Sequence, residues 1–431
     1  MKGDQLVIVD GVRTPFARLG TLFAGLSADE LGRIAVSNLL ARTGIDPETI
    51  DEVIFGCVGQ PVDAANVARV IALRAGIPES VPAITVSRNC ASGFEALTIA
   101  YEKMRAGRGD IFIVGGAESM SQYPFIYSRH AVAKFAKLNK AKTVLARLSA
   151  LGAFRPSDFK PRIGLMLGLT DPVVGMGMGE TAELLARENG ITREMQDAFA
   201  LLSHERACAA RERLAEEICP VFVSPDFQQV VSEDNGPREG QTLDALNKLR
   251  PVFDRKHGTV TAGNASQVTD GAVALLVMSA KRAASLGLTP MGALKEYAYA
   301  GCDPRRMGLG PLFAIAEAER RCGLSLGDAD LIEINEAFAA QVLAVVKLAQ
   351  SGTYARDVLR RETALGDIPT ERLNVNGGAI SLGHPVGATG ARLVLSTLLE
   401  MKRRSARRAL VTLCVGGGQG GALWLESEVT S

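Results

Sequence analysis

The 431-residue chain has few aromatic residues, almost no net charge and no long apolar run. Aromatics make up 5% of the residues and the net charge is +1, so neither base stacking nor a whole-chain field favours nucleic acid as a partner. No stretch reaches the roughly eighteen consecutive apolar residues of a membrane-spanning helix. The first residues, MKGDQLVIVDGVRT, lack the basic and then apolar segments of a signal peptide. These absences predict a cytoplasmic protein.

The cysteines lack the spacing of metal or disulfide sites. Seven cysteines are present, and none forms a CxxC pair or a zinc-binding pattern. An odd number of unpaired cysteines is typical of reduced thiols in a reducing compartment. The sequence also lacks a GxxxxGK[ST] run, which argues against a P-loop nucleotide site.

Short β-branched runs alternate with helical stretches in the first part of the chain. The runs that predict strands are QLVIVDG, DEVIFGCV, AITVSR and DIFIVGGAE. The stretches that predict helices are LSADELGRIAVSNLLARTG and SGFEALTIAYEKMRAG. This alternation indicates an α/β fold with a parallel sheet covered by helices on both faces.

The same order of elements returns near the C-terminus. HPVGATGARLVLSTLLEMKRR follows a glycine-rich turn as SGFEALTIAYEKMRAG does, and ALVTLCVGGG corresponds to DIFIVGGAE. Cys90 precedes its helix in the first half, and His384 and Cys414 take comparable places in the second. We therefore expect two similar α/β halves that bring their helix-start turns to one shared site.

The segment between the halves has a different composition. We expect residues 1–120 with 259–286 to form the first half, 121–258 a loop domain, and 287–431 the second half. Within the loop domain, 129–162 carries nine Lys or Arg residues and one acid, Asp158. Its apolar residues recur at helical spacing: Phe135, Leu138, Ala141, Leu145 and Leu148. The insertion could be a solvated helical segment, a membrane-surface patch or a dock for an acidic partner or ligand.

Cys90, His384 and Cys414 each lie in a run rich in small residues. The runs are SRNCASGFEAL, NVNGGAISLGHPVGATGAR and TLCVGGGQGG. A thiolate accepts acyl groups, an imidazole can activate it, and a second thiol can move protons to and from carbon. Glycine lets backbone N–H groups approach a developing oxyanion. The helix that follows Cys90 is expected to lower the pKa of this thiol. The pattern points to acyl transfer.

Six motifs together resemble the signature runs of the thiolases and follow the thiolase order. They are NCASG, GGAESM, GTVTAGNASQVTDGA, NEAFA, GGAISLGHPVGATGAR and CVGGGQG. VDGVRTPFAR and LRPVFDRKHGTVTAGNAS look most like bacterial 3-ketoacyl-CoA thiolases, including the thiolase subunit of fatty-acid-oxidation complexes. The resemblance implies duplicated α/β halves, each with a mixed sheet, and a loop domain inserted in the first half.

The resemblance implies a role for each residue of the catalytic motifs. Cys90 matches the nucleophile that becomes acylated, and His384 the base that takes its proton and helps bind the thioester oxygen. Cys414 matches the acid/base at the α-carbon. Asn335 in NEAFA matches the residue that holds a water in the oxyanion hole shared with His384. A second oxyanion hole would use the backbone N–H groups of Cys90 and Gly416.

The resemblance also implies how coenzyme A (CoA) and the acyl group are bound. Ser266 and Arg238 match positions that touch CoA, and Met178, Met307 and Phe338 match apolar walls around the acyl group. CoA is a substrate, and no metal or redox cofactor is expected. The family generally forms homodimers or homotetramers, and the resemblance to fatty-acid-oxidation complexes adds a hydratase–dehydrogenase subunit as a candidate partner.

Two positions depart from the family patterns. Gly177 stands where many short-chain thiolases have His, and Asn335 stands where trifunctional-type thiolases often have His. The expected activity is CoA-dependent cleavage of 3-ketoacyl-CoA. The alternatives are a short-chain acetyl-CoA acetyltransferase and a non-catalytic lipid-binding or scaffold subunit. A decarboxylating ketoacyl synthase is disfavoured, because such enzymes have His or Asn where this chain has Cys414.

Overall fold

The computed structural model describes residues 4–427 and 429. Its strands are β1 Leu6–Arg13, β2 Ala17–Arg18, β3 Glu52–Gly56, β4 Ala83–Val86, β5 Ile111–Glu118, β6 Phe125–Ile126, β7 Arg162–Ile163, β8 Val221–Val223, β9 Gln229–Val231, β10 Thr269–Ser279, β11 Gly292–Gly301, β12 Leu331–Ile334, β13 Arg408–Val415 and β14 Gln419–Glu426. Its helices are α1 Ala28–Thr43, α2 Val67–Arg74, α3 Ser92–Arg105, α4 Arg129–Lys140, α5 Val144–Gly152, α6 Gly164–Gly168, α7 Met178–Asn189, α8 Arg193–Ala209, α9 Arg211–Ala215, α10 Leu243–Asn247, α11 Ala280–Ser285, α12 Gly310–Cys322, α13 Ala339–Ala349, α14 Gly352–Asp357, α15 Ala379–Leu382 and α16 Val386–Arg404.

A single ten-stranded sheet runs through both halves of the chain. Its order is β12-β13-β14-β11-β1-β10-β5-β3-β4, with β2 paired to β10. β3 pairs in parallel with β4 and β5, and β12 pairs in parallel with β13, whereas β10, β11 and β14 pair antiparallel with their neighbours. The expectation of a parallel sheet is therefore wrong for the strands outside these parallel pairs. β10 lies antiparallel between β1 and β5, which are distant from it in the sequence, and β13 and β14 form an antiparallel hairpin joined by a short turn. The α/β class and the mixed sheet are confirmed.

Helices cover the sheet on both faces, and two of them, α3 and α16, form a central layer in contact with both halves. α1 and α2 pack on the first half, and α12 and α13 on the second. α3 and α16 lie against strands of both halves in one shared core. α16 is buried along almost its whole length, as expected for a helix that is packed on all sides.

The two central helices touch backbone to backbone through facing glycines. A Cβ on Gly93 of α3 would lie 2.5 Å from the nitrogen of Ala391, and one on Gly390 of α16 would lie 2.6 Å from the nitrogen of Phe94. α3 begins just after Cys90 and α16 just after His384. The glycine contact therefore brings the starts of both helices to one place.

The basic insertion forms two helices, α4 and α5, and the expected continuous apolar side is broken. α4 ends at Lys140, and α5 begins after Thr143, whose side chain accepts a hydrogen bond from the Ala146 N–H as an N-cap. Phe135 packs with Tyr127, Phe154 and Phe159, whereas the apolar face of α5 is exposed at Val144, Leu145, Leu148 and Leu151.

No helix between residues 4 and 427 combines the length and the apolar character needed to cross a bilayer. All seven cysteines of the chain lie within these residues and are free thiols.

Candidate active site

Cys90 lies between the end of β4 and the start of α3, in a turn that carries backbone strain. Asn89 has φ +45°, a conformation that Asn tolerates better than most residues. Burial raises the pKa of the Cys90 thiol, although hydrogen bonds from the backbone N–H groups of Gly416 and Cys90 lower it. The expected lowering of the pKa was therefore wrong in net direction. Burial outweighs the local donors, so Cys90 needs a base to become a thiolate.

Cys414 lies near the end of β13, before a tight glycine turn. Gly417 and Gly418 have φ +93° and +82°, and a Cβ on Gly418 would lie 2.5 Å from the carbonyl oxygen of Cys302. The turn directs Gly416 toward the Cys90 loop, where its carbonyl accepts a hydrogen bond from the side chain of Asn89 at 2.8 Å. Cys414 is buried, which raises the pKa of its thiol well above the usual value, and the neighbouring Cys90 raises it further. Cys414 therefore holds its proton at neutral pH.

His384 precedes α16 and is held by its own helix. Its Nδ1 lies 2.6 Å from the hydroxyl of Thr389, and that hydroxyl donates to the carbonyl of Pro385 at 3.0 Å. The Thr389 hydroxyl oxygen therefore accepts a hydrogen bond from Nδ1–H. Nε2 is then the unprotonated ring nitrogen, and its lone pair is free. Nε2 has no hydrogen-bond partner among the described residues. Burial, together with the nearby charge of Arg392, lowers the pKa of His384 to about 4, so the ring is neutral at pH 7.

One apolar cavity of about 400 Å³ collects these groups. Cys90, His384, Cys414 and Gly416 line it together. The other predicted residues on its wall are Ser266, Met178, Met307 and Phe338. Tyr123 and residues of α6 and the following turn, among them Leu165 and Leu169, close another side of the cavity.

Two of the predicted residues lie away from the cavity wall. Asn335 is fully buried, and its side-chain amide has no hydrogen-bond partner within the described part of the chain. Ala337 and Phe338, which follow it closely, do line the cavity. Arg238 is exposed and does not line the cavity, and its backbone N–H donates to His204 Nδ1 at 3.2 Å. Its role in CoA binding stays a prediction.

Asn89 and Thr389 contribute to the site but were not predicted. Asn89 joins the Cys90 loop to the Gly416 turn, and Thr389 sets the tautomer of His384. A signal was available for Thr389, since a hydroxyl five residues after a histidine at a helix start can reach back to the ring. Asn89 gave none, because its partner is 327 residues away in the sequence.

Two thiols, a neutral imidazole and a nearby backbone N–H donor around one apolar cavity define a cysteine-dependent acyltransferase. Family models agree: the thiolase N-terminal domain matches residues 6–281 and the thiolase C-terminal domain matches 288–427. The chain belongs to the thiolase family.

Curated relatives and solved structures match over nearly the whole chain. The 3-ketoacyl-CoA thiolase of Pectobacterium carotovorum is 44% identical over 428 residues, which cover 99% of this chain and 97% of that protein. The 3-ketoacyl-CoA thiolase of Escherichia coli O81 is 44% identical over 430 residues, with 99% and 98% coverage.

The similar structures carry two different names. The Bacillus anthracis acetyl-CoA acetyltransferase has a TM-score of 0.85 at 36% identity and covers 98% of this chain and 99% of its own. Human mitochondrial 3-ketoacyl-CoA thiolase in complex with CoA has a TM-score of 0.83 at 36% identity, with 99% and 98% coverage.

Proposed function

We propose that the protein is a 3-ketoacyl-CoA thiolase that cleaves 3-ketoacyl-CoA with free CoA to give acetyl-CoA and a shortened acyl-CoA. The observation that carries the proposal is the convergence of Cys90, His384 and Cys414 on one apolar cavity. The curated relatives named above support the substrate class.

In the first half-reaction, Cys90 is the nucleophile and His384 its base. The free Nε2 of neutral His384 takes the Cys90 proton, and the thiolate attacks the 3-keto carbon. The Cα–Cβ bond breaks, which leaves an acyl group on Cys90 and the enolate of acetyl-CoA. The protonated Cys414 then donates its proton to the enolate carbon.

In the second half-reaction, the Cys414 thiolate takes the proton of free CoA, and the CoA sulfur attacks the acyl-Cys90 thioester. Cys90 leaves as a thiolate and recovers a proton from His384, which restores all three groups to their starting state. The thioester itself stabilises the carbanion once an oxyanion hole is present, so the scheme requires no metal or redox cofactor. In reverse, the same groups condense two acetyl-CoA molecules.

The remaining site residues support this scheme as proposals. The N–H groups of Cys90 and Gly416 would bind the oxyanion at Cys90, and the buried amide of Asn335 would hold a water beside His384. Ser266 and Arg238 would contact CoA. Met178, Met307 and Phe338 would contact the acyl group, since they pack against one another and Cys414.

Two cysteine variants test the role assignment. Cys90→Ser should abolish acyl-enzyme formation, seen by mass spectrometry of the intact protein. Cys414→Ser should still acylate Cys90 from simple thioesters but lose carbon–carbon bond exchange. Full thiolysis by Cys414→Ser would contradict the acid/base role.

The length of the preferred acyl group is the next question. CoA-dependent loss of acetoacetyl-CoA should be compared with that of 3-ketohexadecanoyl-CoA on the purified chain. Preference for the long substrate would place the enzyme in fatty-acid β-oxidation, and preference for the short one would make it an acetyl-CoA acetyltransferase. Cleavage of neither would favour a non-catalytic subunit or show that a partner subunit is required.

We propose that residues 1–120 with 259–286 form the first half of the protein, 121–258 a loop domain, and 287–431 the second half. We also propose that the protein acts in the cytoplasm as a homodimer or homotetramer. No nucleic-acid role is proposed. The exposed apolar face of α5 and the nine basic residues of 129–162 support peripheral contact with an acidic membrane surface or with a hydratase–dehydrogenase subunit. Light scattering of the purified protein tests the assembly, and flotation with anionic vesicles tests the membrane contact.

A further inference from the structure

Glu118 is a fully buried carboxylate behind the cavity that the reaction scheme does not use. It is the last residue of β5. Its carboxylate oxygens accept hydrogen bonds from Gly59 N at 2.7 Å, Gly387 N at 2.8 Å, Val58 N at 3.1 Å and the hydroxyl of Tyr123 at 3.2 Å. Every one of these contacts is a donor, and together they lower the pKa of Glu118, although burial outweighs them and raises that pKa above its usual value.

The four donors belong to three segments that surround the cavity. Gly387 lies in the first turn of α16, three residues after His384. Val58 and Tyr123 both line the cavity. One carboxylate thus ties the histidine turn to two parts of the cavity wall.

The contacts around Glu118 leave no free space. A Cβ on Gly387 would lie 2.9 Å from the Glu118 carboxylate and 3.0 Å from the Cα of Cys57. The ring of Tyr123 lies so close to Gly59 that a Cβ at position 59 would clash with it. Only glycine fits at positions 59 and 387, so the backbone there packs tightly around Glu118. A change in the carboxylate should therefore shift the backbone segments that it holds.

We propose that Glu118 is a positioning residue that holds the His384 turn and the Tyr123 wall of the cavity in a fixed relation. The proposal rests on the thiolase reaction proposed above. It predicts that loss of the carboxylate lowers the rate of the chemical steps, because the base moves relative to Cys90.

Glu118→Gln isolates the carboxylate, since glutamine has nearly the same shape but only one acceptor oxygen. Its NH₂ group must face either the pair Gly59 N and Tyr123 hydroxyl, or the pair Val58 N and Gly387 N. At least one buried backbone N–H then loses its acceptor, at a cost of about 1–3 kcal/mol.

A matched control is available in Glu319. This carboxylate is also buried, accepts the Leu326 N–H at 2.9 Å, and lies outside the cavity wall, with Arg361 as its ion-pair partner. Glu319→Gln should lower the thermal unfolding temperature but leave kcat unchanged.

The experiment measures kcat and KM for acetoacetyl-CoA, 3-ketohexadecanoyl-CoA and CoA, together with thermal unfolding. Glu118→Gln is expected to lower kcat about tenfold or more with the better ketoacyl substrate, while KM for CoA changes less than about twofold. Tyr123→Phe removes one bond to the same carboxylate and is expected to change the KM ratio of the two ketoacyl substrates by about threefold or more. It also serves as the test if Glu118→Gln does not fold.

Three results would overturn the proposal: a folded Glu118→Gln with the parental kcat, an equal loss of kcat in Glu319→Gln, or an unchanged KM ratio in Tyr123→Phe. Absence of thiolysis in the parental chain would instead contradict the proposed function itself.

Discussion

Replacing Thr389 by valine should slow the enzyme by removing the group that fixes the tautomer of His384. Valine keeps the shape of threonine but cannot accept from Nδ1–H, which lies 2.6 Å from the hydroxyl. The Pro385 carbonyl keeps two other donors, the N–H groups of Ala388 and Thr389, at 2.9 and 3.0 Å. The substitution therefore leaves only the Nδ1–H without a partner.

Leaving one buried donor without an acceptor costs about 1–3 kcal/mol. If this whole cost is added to the activation free energy, kcat falls by roughly 5- to 150-fold. The loss can also be relieved by moving the proton to Nε2, the atom that accepts the Cys90 proton in the proposed scheme, so kcat should fall either way. Thiolysis measured with saturating CoA gives kcat, and circular dichroism shows whether the variant is folded.

Two further variants control this measurement. Thr389→Ser keeps the hydroxyl and should retain most of the activity. Thr397 lies buried on the same helix, and its hydroxyl has no partner in the described part of the chain, so Thr397→Val should not lower kcat. A folded Thr389→Val with kcat within about twofold of the parental value would refute the reasoning.

Three further predictions concern the glycine turn, the bridge to it and pH. Gly418→Ala should lower the free energy of unfolding by about 1–3 kcal/mol in urea titration, because φ is +82° and the new Cβ would press on the carbonyl of Cys302. Asn89→Ala should lower kcat more than it raises KM, because the Gly416 turn loses its tie to the Cys90 loop. Lowering the pH from about 6.5 towards about 4 should destabilise the protein, since unfolded His384 binds a proton that the buried ring does not.

Each of these predictions has its own control. A Cβ on Gly417 would meet only the Asn89 side-chain amide, at an ordinary contact distance of 4.0 Å, but would keep the strain of φ +93°. Gly417→Ala should therefore cost less than the Gly418 variant, and equal costs would contradict the steric argument. Unchanged kcat in Asn89→Ala would show that the bridge is dispensable. The pKa of His384 is lower in the folded protein than in the unfolded chain. Its contribution to stability is therefore complete above pH 6.5 and is lost on acidification. His384→Gln should therefore flatten the pH dependence, although His204, whose pKa is also about 4, keeps part of it.

The sequence predicted most of what depends on local pattern. The strands that end near Cys90 and Cys414 and the helices that begin after Cys90 and His384 were all expected, because β-branched runs and small-residue turns mark them directly. The expectation that these turns share one site is confirmed by the common cavity.

The failures arose where distant parts of the chain decide the outcome. The net pKa shift of Cys90 is set by burial in the folded chain, which no local motif reports. The prediction of one apolar helix side from Phe135 to Leu148 failed because the helix ends at Lys140 and Thr143 caps a new one. Asn89 was missed because its partner lies in the other half of the molecule.

The seam between the halves has a consequence for how the chain comes into being. β1 and β11 share only two registered residue pairs, Val7 with Ala293 and Ile8 with Gly292, although they join the two parts of the sheet. Synthesis proceeds from the N-terminus, so the half that carries Cys90 leaves the ribosome long before the half that supplies His384 and Cys414. The nascent protein therefore exposes a thiol that has no base to activate it. A product truncated before His384 would carry the Cys90 thiol without the imidazole and the second thiol, and it should not catalyse the proposed two-step exchange.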